Sequence, residues 1–228
     1  MAAKIRVWDL PTRFFHWTLA GLVVAAFAAV KVGGAWITWH FYAGYAILTL
    51  ILFRVVWGFA GGRYARFGAF LYGPRAIVAH VRGAPDRPHA PGHNQLGSLS
   101  VFALLIAIGV QASLGLFAND EIASEGPLVR LISRDTSDLL TTLHRLNERV
   151  IIALVGLHLA AIAFYTFVRR EPLVAAMVHG DKPLPIDRQS TGSADSRDLE
   201  PTRDDGGLRL RAAVLLALCA AAVWWIVS

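Results

Sequence analysis

The chain has 228 residues, of which 55% are hydrophobic and 17% charged, with a mean hydropathy of +0.49; this balance excludes an ordinary soluble domain and predicts an integral membrane protein. Its net charge of +6 is mostly a topology signal, and nucleic acid is disfavoured as a partner because the basic residues flank apolar runs instead of lining one soluble face. Anionic membrane lipids are their plain counterpart.

Five runs approach the roughly 20 residues needed to cross the hydrocarbon. The first, Phe14 to Val30, begins with His16 and follows Lys4, Arg6 and Arg13. A cleaved signal peptide shares that pattern, but no convincing small-residue cleavage site leads to a soluble domain, so the segment is expected to be retained. The second run, Ile37 to Phe59, is broken only by His40 and Arg54. The connection after it, Gly61 to Gln95, holds Arg63, Arg66, Arg75, Arg82 and Arg87, with His80 and His89 among them. His93 and Asn94 then head the third run, the uncharged Leu96 to Phe117.

Between Phe117 and Leu143 the balance reverses, with Arg130 and Arg134 against Asp120, Glu121, Glu125, Asp135 and Asp138. His144 precedes the fourth run, Val150 to Val168, and His158 lies inside it; Arg169 and Arg170 follow. A polar stretch from Asp181 to Gly207 has almost no large apolar residues and predicts an unstructured linker. The last run, Ala212 to Val227, enters from Arg209 and Arg211 and ends near Trp224 and Trp225, an aromatic interface anchor. The Lys/Arg excess puts the N-terminus and the Gly61 to Gln95 connection in the cytoplasm and the C-terminus outside. The expected division is a transmembrane core over 1–183, a cytoplasmic linker over 184–208 and a C-terminal transmembrane helix over 209–228.

Ionisable side chains at membrane depth must be paired, hydrated or coordinated, which makes the four intramembrane histidines the leading functional candidates. His144 and His158 are fourteen residues apart, about 40° short of four helical turns, so one helix presents both to nearly the same side about 21 Å apart. That separation rules out one shared zinc ion. By depth, His16 matches His158 toward the cytoplasm and His40 matches His144 toward the outside. Two stacked bis-imidazole sites follow, each suited to a haem iron with no open coordination position. Cys219 is the sole cysteine and there is no Cys-x-x-Cys-His motif, so such haems are b-type and non-covalent.

Small residues near the ligands, Ala20, Gly21, Ala43, Gly44 and Gly156, would make room for a flat macrocycle, although close helix packing accounts for them equally well. Arg13, Arg54 and Arg145 are candidate partners for the haem propionates, and Arg54 could instead snorkel to the interface. The loop histidines His80, His89 and His179 read as solvated. His93 and Asn94 could face a quinone headgroup, against which stands a simple helix cap by Asn94.

The stretch Val7-Trp8-Asp9-Leu10-Pro11-Thr12-Arg13-Phe14-Phe15-His16-Trp17, together with Gly92-His93-Asn94-Gln95-Leu96-Gly97, the His144 and His158 pair and the Met177 to Pro183 segment, resembles one family. It is that of the prokaryotic b-type cytochromes, which includes the membrane subunits of nickel-iron hydrogenases and formate dehydrogenases and the free-standing bacterial cytochrome b-561 proteins. The resemblance covers about Arg6 to Pro183. It implies an all-α four-helix transmembrane bundle with two b-type haems in a bacterial inner membrane, passing electrons between a partner redox subunit or soluble cytochrome and quinone. The linker and fifth helix lie outside that common core, and a second copy of the chain is another candidate partner. Two other functions are weighed against this one: a free-standing quinone-linked oxidoreductase acting on a small diffusible substrate, and a histidine-relay ion transporter without haem, which leaves the matched depths unexplained.

Overall fold

The computed structural model describes residues 4–82, 92–120, 124–183 and 200–228. In chain order the helices are α1 (Leu10–Val32), α2 (Ile37–Ala60), α3 (Pro74–Val81), α4 (Gln95–Gly115), α5 (Arg134–Ala163), α6 (Leu173–His179) and α7 (Gly206–Val227), with two short strands, β1 (Lys4–Arg6) and β2 (Asp181–Pro183). Among the described residues five helices are long and apolar enough to cross a membrane, namely α1, α2, α4, α5 and α7. They correspond to the five apolar runs of the sequence. Exposed apolar side chains along them, such as Val24, Ile106, Leu157 and Trp225, are the surface that lipid covers.

Local chemistry sets the helix ends. Asp9, 1% exposed, accepts the Thr12 amide at 2.8 Å as the N-cap of α1, and Pro11 in the first turn has no amide to satisfy. Gly33 and Gly34, with φ of 71° and 57°, occupy a region that side chains disfavour and turn the chain into α2.

Helix α5 departs from expectation by starting at Arg134, well ahead of the apolar run at Val150. Ser133 Oγ accepts the Thr136 amide at 3.3 Å, and Asp135 sits in the first turn, at the positive end of the helix dipole. The reason is a polar stripe. Ser137, Thr141, His144 and Glu148 recur at helical spacing, and hydropathy alone takes such a stretch for a loop. The 30 residues of α5 make a helix about 45 Å long, more than the hydrocarbon thickness. A π turn over Phe164–Val168 follows it.

The chain groups into two compact units. One takes the segments up to Phe14, from Val56 to Phe102 and from His158 to Ala212. In it β1 pairs antiparallel with β2, Arg6 opposite Asp181, over a small core of Val7, Trp8, Tyr64 and Ala176. The Gly180 carbonyl accepts the Val7 and Trp8 amides at 2.9 and 3.1 Å. Gly180 has φ of 90°, and a Cβ there would stand 2.7 Å from the Trp8 carbonyl oxygen, so this turn requires glycine.

The polar stretch after Pro183 also departs from expectation, because it is ordered from Glu200 onward; residues 184–199 lie outside the described residues. The Thr202 amide donates to the Arg6 carbonyl at 2.8 Å, and the Tyr64 hydroxyl donates to the Glu200 carbonyl at 2.8 Å. Asp204, whose side chain is 8% exposed, pairs with Arg6 and Arg209 at 3.1 Å each and with Arg13 at 3.6 Å. It also accepts the Leu10 amide at 3.2 Å. Burial alone would raise the Asp204 carboxyl, but the Arg209 hydrogen bond, the Leu10 amide and the Arg13 charge together hold it below its ordinary value. Converging charge orders a segment that apolar burial could not.

The second unit takes Phe15–Val55, Ala103–Leu157 and Ala213–Ser228. Its main core joins four helices: Ala26 of α1, Ala43, Ile47 and Ile51 of α2, Ala107 and Ile108 of α4, and Ile151 of α5. Val223 of α7 packs separately, on Leu48 and Leu116. The fifth helix thus lies outside the four-helix core of this unit.

Candidate functional site

Two of the four intramembrane histidines meet inside the second unit. His40, in the first turns of α2, and His144 on α5 have ring centroids 6.2 Å apart, with their planes nearly perpendicular at 85°. Each ring is held from behind by a helix carbonyl. His40 Nδ1 lies 3.0 Å from the Ala26 oxygen of α1, and His144 Nδ1 lies 3.0 Å from the Gln111 oxygen of α4. A carbonyl can only accept, so both Nδ1 atoms carry the proton and both Nε2 atoms keep a lone pair for coordination. Four helices therefore fix one pair of rings.

Two nitrogen–metal bonds of about 2.0 Å, with about 1.2 Å from each nitrogen to its ring centre, put opposed imidazoles roughly 6 Å apart across one metal ion. The observed separation fits. Among the described residues no group of three His, Cys, Asp or Glu could hold a bare metal ion, whereas two imidazoles suit a metal whose other four bonds come from a macrocycle. A cavity of about 250 Å³ is lined by both rings, by apolar walls that include Phe41 and Ile108, and by Lys31 and Arg145. Carboxylate groups entering it would find two cations, Lys31 and Arg145, beside the carboxylates of Asp120 and Glu148.

The structure divides the small residues between the two explanations open to them. Ala43 is buried in the helix core, while Gly44 lines the cavity. Gly115, which spacing alone did not single out, is also placed against the site, since a Cβ there would stand 3.2 Å from His144 Cε1. Gln111 and Asn147 were missed as well. Each is an amide in or beside an apolar run, a signal that polar residues at membrane depth deserve.

His16 on α1 and His158 on α5 are half-buried, and they fall in the second and first unit respectively; their pairing rests on the depth argument. Arg145 is exposed beside the cavity. Arg54 is 3% exposed, so it is held within the protein and does not snorkel to the interface. Arg13 Nη1 donates to the Val178 carbonyl at 2.7 Å and its Nη2 lies 3.6 Å from Asp204. It holds the Met177 to Pro183 segment.

Asn94 caps α4, its Oδ1 accepting the Gly97 amide at 2.7 Å, and its Nδ2 donates to the Tyr165 hydroxyl at 2.8 Å. Both ends are committed to structure, as a cap requires. His93 lies beside Trp8 and Phe70, with ring centroids at 4.7 and 4.6 Å. His179 is exposed at the end of α6; His89 lies outside the described residues.

A family model described as prokaryotic cytochrome b561 matches residues 7–180. No curated protein and no solved structure matches the chain.

Proposed function

The chain belongs to the prokaryotic cytochrome b561 family, and from that premise we propose that it passes electrons between a partner redox protein or enzyme subunit and the quinone pool through two bis-histidine haems. Family and spans already make it a multi-pass membrane b-type cytochrome of electron transfer. The observation that carries the finer reading is the His40 and His144 pair, with ring centroids 6.2 Å apart and both Nδ1 protons tied to helix carbonyls. The depth of His16 and His158 supports a second pair.

Haem bound here would supply a one-electron iron couple suited to outer-sphere transfer. His40 and His144 would hold its iron, and the Ala26 and Gln111 carbonyls fix the tautomer and aim of the two rings. Phe41 and Ile108 line the site with apolar surface, and Lys31 with Arg145 suit the propionates. His93, among aromatic rings at the head of α4, is the residue we favour beside a quinone. The same carbonyl contacts weigh against a histidine proton relay, because a ring whose Nδ1 proton is held by a carbonyl cannot pass that proton onward along a chain of imidazoles.

The visible spectrum of the purified protein tests this. A sharp reduced b-type band with two haems per chain is expected. One haem per chain would refute the second site, and a protein that stays colourless after haem loading would refute the reading altogether.

We place the chain in a bacterial inner membrane with its N-terminus in the cytoplasm and its C-terminus in the periplasm, from the Lys/Arg excess. A reporter fused after Pro183 should then read cytoplasmic and one inserted near Glu125 external. The opposite pair of signals would exchange the sides of the two haems and reject the inward quinone site.

A further inference from the structure

Asn147 follows His144 by three residues on α5, on the same face of the helix. Its Nδ2 donates to two acceptors on α4, the Ala107 carbonyl at 2.9 Å and the Gln111 side-chain Oε1 at 2.8 Å. Gln111 is therefore engaged twice: its backbone carbonyl takes the His144 Nδ1 proton at 3.0 Å, and its side chain is held by Asn147. The two α5 side chains grip α4 at carbonyls one turn apart, 107 and 111. Sliding or rotating either helix would release both. His40 has no comparable brace, since its acceptor, Ala26, carries only a methyl group.

We propose that Asn147, through Gln111, is a positioning residue that sets the tautomer, ring plane and donor strength of His144. The proposal rests on reading His144 as an axial ligand. A carbonyl that accepts the Nδ1 proton makes the imidazole more electron-rich, and such outer partners alter metal affinity 10–100-fold. An electron-rich ligand favours ferric over ferrous iron. Loosening the Gln111 carbonyl should therefore raise the reduction potential of the haem that His144 holds, and of that haem alone.

The plain alternative is that Asn147 and Gln111 are interhelical glue of the kind common in membranes. Potential and electron paramagnetic resonance of the haem-loaded protein separate the two. Asn147→Leu should keep the haem content, raise one midpoint potential by up to tenfold in the reduction equilibrium, about 59 mV for one electron, and shift the low-spin g-values of that haem. Gln111→Leu, which keeps the backbone carbonyl and removes the side-chain amide that Asn147 holds, should shift the same haem in the same direction. The double variant should shift it no further than the larger single one, because coupled neighbours are not additive. Asn147→Gln should recover part of the shift.

Lower thermal stability with unchanged potentials and g-values would overturn the proposal, and so would an additive double variant. If Asn147→Leu fails to load haem, Gln111→Leu decides by the same criteria. His144→Ala distinguishes a deeper failure: should that variant retain every haem with unaltered spectra, the ligand assignment falls, and the positioning role with it.

Discussion

His40→Ala and His144→Ala should each deplete, or convert to high spin, one and the same haem, leaving the other untouched. On the proposed ligation, either substitution would remove one of the two imidazoles whose ring centroids lie 6.2 Å apart, and among the described residues no group of three His, Cys, Asp or Glu could hold the metal in their place. A five-coordinate iron has an open position and goes high spin, which optical and paramagnetic spectra read directly. His16→Ala and His158→Ala should affect the other haem. His89→Ala should leave both alone. Should His40→Ala and His144→Ala perturb different haems, the pairing is wrong even if all four residues are ligands.

Asp204→Asn should loosen the N-terminal arm. The carboxylate gathers Arg6, Arg13 and Arg209 and accepts the first-turn amide of α1, so its removal leaves Arg13 without its counter-ion in a largely covered position. Breaking a buried pair from one side destabilises by roughly 3–5 kcal/mol; the partial exposure of Arg6 and Arg209 reduces this to about 2 kcal/mol. Thermal melts of the haem-loaded protein and proteolysis near β1 would measure it.

The pH dependence has a fixed sign. Because the folded carboxyl is held below its ordinary value, its contribution is complete above the unfolded value of about 3.9 and is lost as pH falls through the lowered folded one. Acidification should therefore close the gap between the two proteins. A gap that widens in acid would show that the carboxylate is not the stabilising group.

The five spans were legible because each is a long uninterrupted apolar run, and the His40 and His144 match was legible from depth. Hydropathy misread residues 134–143 as part of a connection, where Ser137 and Thr141 continue on a helix the polar stripe that His144 and Glu148 share. It also misread Glu200 to Asp205, which is ordered by guanidinium groups up to 198 residues away in sequence, a pairing that no local pattern announces. The contacts of Arg13, a candidate propionate partner, to the Val178 carbonyl and Asp204 join residues just as remote in sequence. Asn147 and Gln111 were visible as residues but not as a pair, since their contact depends on the register of α4 against α5.

Asp204 is also made long after the residues it binds. A ribosome adding about 5–20 residues per second needs on the order of ten to forty seconds to travel from Arg6 to Asp204. Through that interval the first helix can pack on α2, α4 and α5 as they emerge, but the arm ahead of it lacks the carboxylate that ties it down. Strand β1 has no partner until Asp181 to Pro183 emerge, and Arg6 and Arg13 have no shared carboxylate until after that. The segment synthesised first is thus among the last to be secured, and the nascent protein passes through a stage in which its spans are inserted while its N-terminal arm is still free.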